Sequence, residues 1–211
     1  KGYAHPAAAM SPPYSGAPTD IEPYAYDPEK GRKLLEEAGW PQDKPLVVAT
    51  TSDVASLADY LVAGFRDSLG IRVELVSVPD EGLAAAQKAL VEKKIPQNFD
   101  VLVHAWFDLA AGYPPAVIHR EYYHSGGAFR LGPPLVEFES LMSRSVIETD
   151  AQKLGDLGRD LDRLTHREAL SVFLCCPMAL VAVNKHVKFT GHAATLELCE
   201  TEVDEEHWSR K

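Results

Sequence analysis

Two short stretches carry side chains with chemistry to offer. Trp106, Phe107 and Asp108, with Tyr113 a few residues on, set aromatic rings beside a carboxylate. The rings make an apolar wall, and an indole face next to a carboxylate attracts a cation through both quadrupole and charge. Such a pair suits an ammonium group, for instance the amino terminus of a peptide. The same residues also read as a core indole with Asp108 capping the next turn. Thr51 and Ser52 offer hydroxyls directly after the apolar run 46–50.

Covalent and metal chemistry find less. Ser125-Gly126-Gly127 imitates an oxyanion loop, but the spacing sets no base beside it, and a flexible turn explains it better. There is no Gly-x-Ser-x-Gly elbow, no phosphate-binding Gly-x-x-x-x-Gly-Lys and no dinucleotide fingerprint, so no catalytic residue is assigned and no cofactor is expected. Of the histidines, His119 and His124 fall in one loop and His104 on a strand, without a His-x-x-His or His-Glu-x-x-His unit. They read as surface or loop side chains, and no metal site is expected. Cys175, Cys176 and Cys199 are an odd set with an adjacent pair, a poor disulfide framework that reads as buried small hydrophobes. Cys199 can pair with one of the others in an oxidising compartment, and the leftover thiol leans against export.

The bulk numbers narrow the partners. A formal charge of −10 over 211 residues argues against nucleic acid, whose phosphates draw on Lys and Arg, and against an anionic membrane surface. With 45% hydrophobic residues the chain can build a real core, and no apolar run approaches the roughly 20 residues that cross a bilayer.

The elements that must position these side chains follow from pattern. Residues 1–26 carry Pro6, Pro12, Pro13, Pro18 and Pro23 and read as an extended lead-in, or as a plain disordered terminus. Tyr26 to Pro41 holds a helix with both ends written in. Asp27 caps it, Pro28 takes the first helical position, Leu34, Leu35 and Ala38 make its apolar stripe, and Gly39 with Trp40 and Pro41 closes it. Next come a strand over 46–50, a helix opened by Ser52 or Asp53 with Leu57, Leu61, Phe65 and Leu69 on one face, and a strand over 71–78. A helix from Asp80 to Lys94 and a strand from Phe99 to Trp106 complete a β-α-β-α-β order. This predicts an α/β fold, a mainly parallel sheet flanked by helices. Ligands of such sheets collect beyond the carboxyl ends of the strands, which selects the loops 50–53 and 106–113. A short helix is expected over 116–122 and another over 135–144. Thr149 with Gln152 reads as a capping box for a helix whose Leu154, Leu157, Leu161 and Leu164 form an apolar face. Strands are read over 179–184 and 195–200.

These residues also carry a family resemblance. The proline-rich lead-in, Tyr26-Asp27-Pro28-Glu29-Lys30, the helix end Leu34-Leu35-Glu36-Glu37-Ala38-Gly39-Trp40-Pro41, the β-α-β unit, Gly70-Ile71-Arg72-Val73-Glu74 and the Phe99–Trp106 stretch together resemble one family. It is the family 5 extracellular solute-binding proteins, receptor subunits of ABC importers for peptides, nickel and related solutes. The match is to their C-terminal lobe. Gly31 departs from the pattern, which leads one to expect alanine. The resemblance implies a type II periplasmic-binding-protein-like lobe: a hinge-proximal lead-in at 1–26, the solute-binding lobe at 27–185, and a return segment toward a missing first lobe at 186–211. It implies as partners a small solute or short peptide and an ABC permease, in a periplasmic or extracytoplasmic place. In peptide-binding members a Trp ending this strand is followed by an Asp that holds the peptide's amino group. Here Trp106 matches, Asp108 comes one residue sooner, and Tyr113-Pro114 stands where Asp-Pro often follows.

Two other functions remain in play on the residues alone. One is a ligand-sensing domain of a cytoplasmic transcription regulator with the same fold. The other is a hydrolase using the Gly-rich loop with His119 or His124.

Overall fold

The run Leu46–Thr50 is β-branched and apolar throughout, as a strand covered on both faces requires, and it becomes the centre of a parallel sheet. The computed structural model describes residues 2–11, 16–78, 92, 99–105, 116–127, 130, 132–178, 180–191 and 198–210. Its elements are β1 (Ala4–Pro6), α1 (Pro28–Glu37), β2 (Leu46–Thr50), α2 (Ala55–Leu69), β3 (Val73–Ser77), β4 (Val101–Val103), α3 (Ala116–Tyr123), α4 (Val136–Ile147), α5 (Ala151–Arg167), β5 (Cys175–Pro177), β6 (Val187–Lys188) and β7 (Glu202–Val203), with 3-10 turns at Ser52–Val54 and Trp208–Arg210. The chain divides into two units. One comprises Lys1–Pro23, Phe107–Val117 and Ser143–Lys211, and the other Tyr24–Trp106 and Ile118–Met142.

In the second unit the sheet order is β3-β2-β4, both pairings parallel, with Leu46 opposite Val73 and Val48 opposite Val101. Parallel neighbours need a crossover, and α2 supplies the one between β2 and β3. Val48, Ala58, Val62 and Val103 are buried together, with Leu46, Val54, Leu61, Phe65, Val73, Leu75 and Val101 packed around them. The α2 face is therefore rotated from the expected stripe. Leu61 and Phe65 join the core, but Ala58 and Val62 are its buried centre and Leu57 is exposed. The tighter 3-10 turn that leads into α2 changes the phase at which the helix meets the sheet. β3 and β4 are shorter than the expected 71–78 and 99–106, the latter ending outside the described residues. The expected helix from Asp80 to Lys94 also lies outside them, Glu92 excepted.

α1 begins as read. The Asp27 carboxylate accepts the Lys30 amide at 3.0 Å, and Pro28 opens the helix. Its end is a paired closure in which Gly39, at φ +64°, donates to the Glu36 carbonyl and Trp40 to that of Leu35, at 3.0 and 2.9 Å. The apolar stripe is different from the expected one. Leu34 and Ala38 are exposed, and the half-buried positions are Pro28, Gly31 and Leu35. Gly31 explains why: a Cβ there would stand 2.7 Å from Leu69 Cδ2 of α2, so the missing methyl lets the two helices approach. Below the sheet's amino ends, Asp100 accepts from the Val47 amide at 3.0 Å and from Lys44 Nζ at 2.9 Å, and the Lys44 ammonium lies 5.0 Å from the Trp40 ring.

In the first unit the lead-in is held in place. β1 pairs antiparallel with β5 as an isolated ribbon, Ala7, Ala9 and Ser11 are buried, and the Ser11 amide donates to Asp162 of α5 at 3.4 Å. Arg163 of α5 grips the Asp20 carboxylate through Nε and Nη2 at 2.9–3.1 Å, and the His166 ring meets the Glu22 carbonyl at 2.9 Å. The hydrogen bond from Arg163 holds the Asp20 carboxyl below its usual range. α5 buries Leu157, Leu161 and Leu164 as expected, but its cap is Asp150, not a Thr149–Gln152 box. The Asp150 carboxylate accepts the Gln152 and Lys153 amides, while Glu148 takes the amides of Thr149 and Asp150, which leaves Thr149 outside the helix.

Three further expectations change here. Residues 180–184 form no strand: Leu180, Val181 and Val183 are 44% to 71% exposed, and the strand sits earlier, at Cys175–Pro177. Of 195–200 only 198–200 lie among the described residues; they hold no strand, and the pairing falls on Glu202–Val203 with Val187–Lys188. The cysteines are not a buried set. Cys175 and Cys199 are exposed and Cys176 is half-buried.

Candidate functional site

The sheet changes its direction of growth at β2. The chain adds β3 on one side of β2 and β4 on the other, which makes β2 the switch point of the sheet, and in open α/β sheets ligands bind beyond the carboxyl ends of the strands at such a point. Thr51 sits there. Its amide donates to the Val103 carbonyl of β4 at 3.4 Å, and its carbonyl accepts from the Val54 amide at 3.3 Å and the Thr50 hydroxyl at 3.1 Å. Its own hydroxyl is buried and meets no hydrogen-bond partner among the described residues, even though Thr51 is the cap position of the 3-10 turn. An unmet buried hydroxyl costs about 1–3 kcal/mol, so its retention calls for a reason. Ser52 follows it, exposed, as the first residue of the turn.

β4 runs into His104, whose ring stacks on Tyr122 of α3 with centroids 5.5 Å apart and planes 12° from parallel. Burial, and after it the Tyr123 phenol, push the Tyr122 hydroxyl well above the ordinary tyrosine range, so it stays a protonated donor. The stack rests on a packed base. Tyr123 meets Phe138 of α4 edge-on at 5.7 Å, and His119 is fully buried beside Tyr123. His119 is thus a core histidine and not the surface or loop residue expected, since α3 turns it inward.

The Gly-rich loop is a locked turn. Glu139 accepts the Ser125 amide at 2.6 Å, the Ser125 hydroxyl at 2.9 Å and His124 Nε2 at 2.9 Å, while His124 Nδ1 accepts the Gly126 amide at 3.0 Å. That pattern places the proton of the neutral ring on Nε2. The serine hydroxyl faces a carboxylate, not an imidazole base, so these contacts assemble a turn and not a nucleophile with its base.

Thr51 and Ser52 are therefore at the expected edge of the sheet. Trp106, Phe107, Asp108 and Tyr113 lie outside the described residues. The His104–Tyr122 stack was not anticipated from the sequence, because a strand-end imidazole and a helical phenol eighteen positions apart share no spacing rule.

A profile described as bacterial extracellular solute-binding proteins, family 5 middle, matches residues 1–128 of the 211. The chain belongs to this family. It is similar to a putative ABC transporter peptide-binding protein of Brucella ovis, 38% identical over 65 residues, which are 29% of this chain and 12% of that protein. It is also similar to the glutathione-binding protein GsiB of Salmonella typhi, 48% identical over 40 residues, 19% of this chain and 8% of that one. Among solved structures, the oligopeptide-binding protein AppA of Bacillus subtilis, in complex with a nonapeptide, superposes with a TM-score of 0.69 at 17% identity, over 96% of this chain and 43% of AppA. The chain thus corresponds to less than half of that solved relative. The likeness at this identity establishes the fold, a periplasmic-binding-protein-like α/β lobe with a parallel sheet.

Proposed function

We propose that this chain is the C-terminal lobe of the substrate-binding component of an ABC importer, taking peptides or related small solutes outside the cytoplasm and presenting them to a membrane permease. Family membership over residues 1–128 is the observation that carries the reading. The relatives named above are binding proteins, and this chain is read as a binding module with no catalytic step of its own. Among the described residues no helix is long and apolar enough to cross a membrane, which suits a receptor that works beside a separate permease.

The solute site in this reading is the crevice at the carboxyl ends of β2 and β4. Thr51 and Ser52 form one wall, Trp106, Phe107 and Tyr113 are the aromatic wall, and Asp108 faces the solute's ammonium. The buried Thr51 hydroxyl supports this, because a polar group of the solute is a partner for it. The exposed Val172, Leu174, Met178, Leu180, Val181 and Val183 support the reading of a first lobe that covers them. Residues 1–26 then serve as the hinge-side lead-in, and 186–211 return toward that lobe. Closure of the lobes is a hinge motion, and the solute shifts the population toward the closed form by binding it more tightly.

The test is calorimetric titration of the full-length protein with a panel of di-, tri- and oligopeptides. Trp106→Ala and Asp108→Ala should each lower the affinity for the bound peptide by about tenfold or more. Unchanged affinity in both variants removes the site, and no uptake of any peptide removes the substrate class.

A further inference from the structure

The β1–β5 ribbon brings soft donors from the two ends of the chain onto one face. His5 stands opposite Cys176, and the Met178 amide donates to the Tyr3 carbonyl at 2.8 Å, so the pairing continues past β5 with Tyr3 opposite Met178. Directly opposed residues of an antiparallel pair share a face, as do residues two apart on a strand. His5, Cys176 and Met178 therefore lie on one face, and Cys175 lies on the other. The bonds at Tyr3–Met178 and at Ala7–Leu174 put His5–Cys176 in the hydrogen-bonded class of pairs, with Cα atoms about 5.5 Å apart, and Met178 is about 6.6 Å along the strand from Cys176. A thioether on three rotatable bonds bridges that separation. Within this chain His5 is exposed, Met178 is 48% exposed and Cys176 is half-buried.

We propose that His5, Cys176 and Met178 form a binding site for Cu(I). Thiolate and thioether are soft ligands that select this ion, and imidazole suits copper. Among the described residues no group of three His, Cys, Asp or Glu side chains is placed to hold a metal. This face of the ribbon contributes two such residues, His5 and Cys176, and a methionine sulfur completes the set. Hard cations and Zn²⁺ gain little from a thioether, and the set contains no carboxylate. Binding transfers the Cys176 thiol proton to water and changes no oxidation state, provided the copper arrives reduced. The site uses no residue of the solute site, but Met178 lies in the run that the proposed first lobe covers, so the titration is made on this 211-residue chain.

The experiment is an anaerobic titration of the full chain with Cu(I), held reduced by ascorbate, against the chromophoric chelator bicinchoninate. One Cu(I) per chain should leave the chelator. Cys176→Ser should lower the affinity by more than about a hundredfold, above the usual loss on removing a partner that only orients a ligand, and His5→Ala and Met178→Leu by about tenfold each. Cys175→Ser, on the opposite face, should change nothing. An equal loss in Cys175→Ser, displacement of the copper by equimolar Zn²⁺, or no transfer from the chelator overturns the site. X-ray absorption of the copper-loaded wild-type chain does not depend on any variant folding. Sulfur and nitrogen neighbours together are expected, and an all-sulfur or all-oxygen shell overturns the proposal.

Discussion

The parallel-sheet unit and the ribbon-and-helix unit use apolar residues in opposite ways. In the first, a five-residue strand between two neighbours buries its side chains under α2, and the core Val48, Ala58, Val62 and Val103 is complete within the unit. In the second, α5 buries its leucines, yet Val172, Leu174, Met178, Leu180, Val181 and Val183 follow one another at the surface. A run of that kind is the surface that the proposed first lobe would cover. Apolar sequence is therefore buried as core in one unit and left at the surface in the other.

Substitutions measure that contrast directly. Phe138→Ala, at a side chain with no exposed surface, should lower the unfolding free energy by about 3–5 kcal/mol in urea denaturation, whereas Val181→Ser should change it by less than about 0.5 kcal/mol. A comparable loss at Val181 would break the comparison, because that side chain would then be packed within this chain. Thr51→Val sharpens it inside the sheet unit. Removing a buried, unmet hydroxyl without changing side-chain shape should raise the unfolding free energy by about 1 kcal/mol and weaken solute binding in the full-length protein. A loss of stability instead would mean that the hydroxyl is bonded in the folded chain.

The smallest effect concerns Asp100, whose carboxyl is held below the usual range, first by the Val47 amide and then by Lys44. A depressed folded-state value stabilises above the unfolded Asp value of about 3.9, and that contribution disappears as pH falls through the folded value. Asp100→Asn should therefore cost less than about 1 kcal/mol at neutral pH and nothing at pH values below the folded range, read from denaturation midpoints across pH. A cost that persists in acid would place the effect in packing and not in charge.

Much of this is legible in the sequence. Asp27, Pro28 and Gly39 specify the ends of α1 through local backbone chemistry, and the β-branched run at 46–50 specifies the central strand, because those preferences act within a few residues. The faces were harder to read. Leu34 reads as apolar and inward by spacing but is exposed, and Gly31, where alanine is expected, is the contact, since a helix face is chosen by what packs against it. Thr149 gave way to its neighbour Asp150 because two adjacent oxygen-bearing side chains compete for one cap. His119 and the cysteines were misplaced for the same reason as Leu34: burial is decided by partners remote in sequence.

The sequence by itself determined the α/β order, the family and the edge of the sheet where Thr51 and Ser52 stand, because strand runs, caps and signature residues are local. Only the tertiary structure decided that the Thr51 hydroxyl is buried without a partner, that His104 lies on Tyr122, and that His5 meets Cys176 across a ribbon. Each of those depends on chain segments brought together by folding, and the free energy that joins them comes from burial and pairing across the whole molecule, which no spacing along the chain encodes.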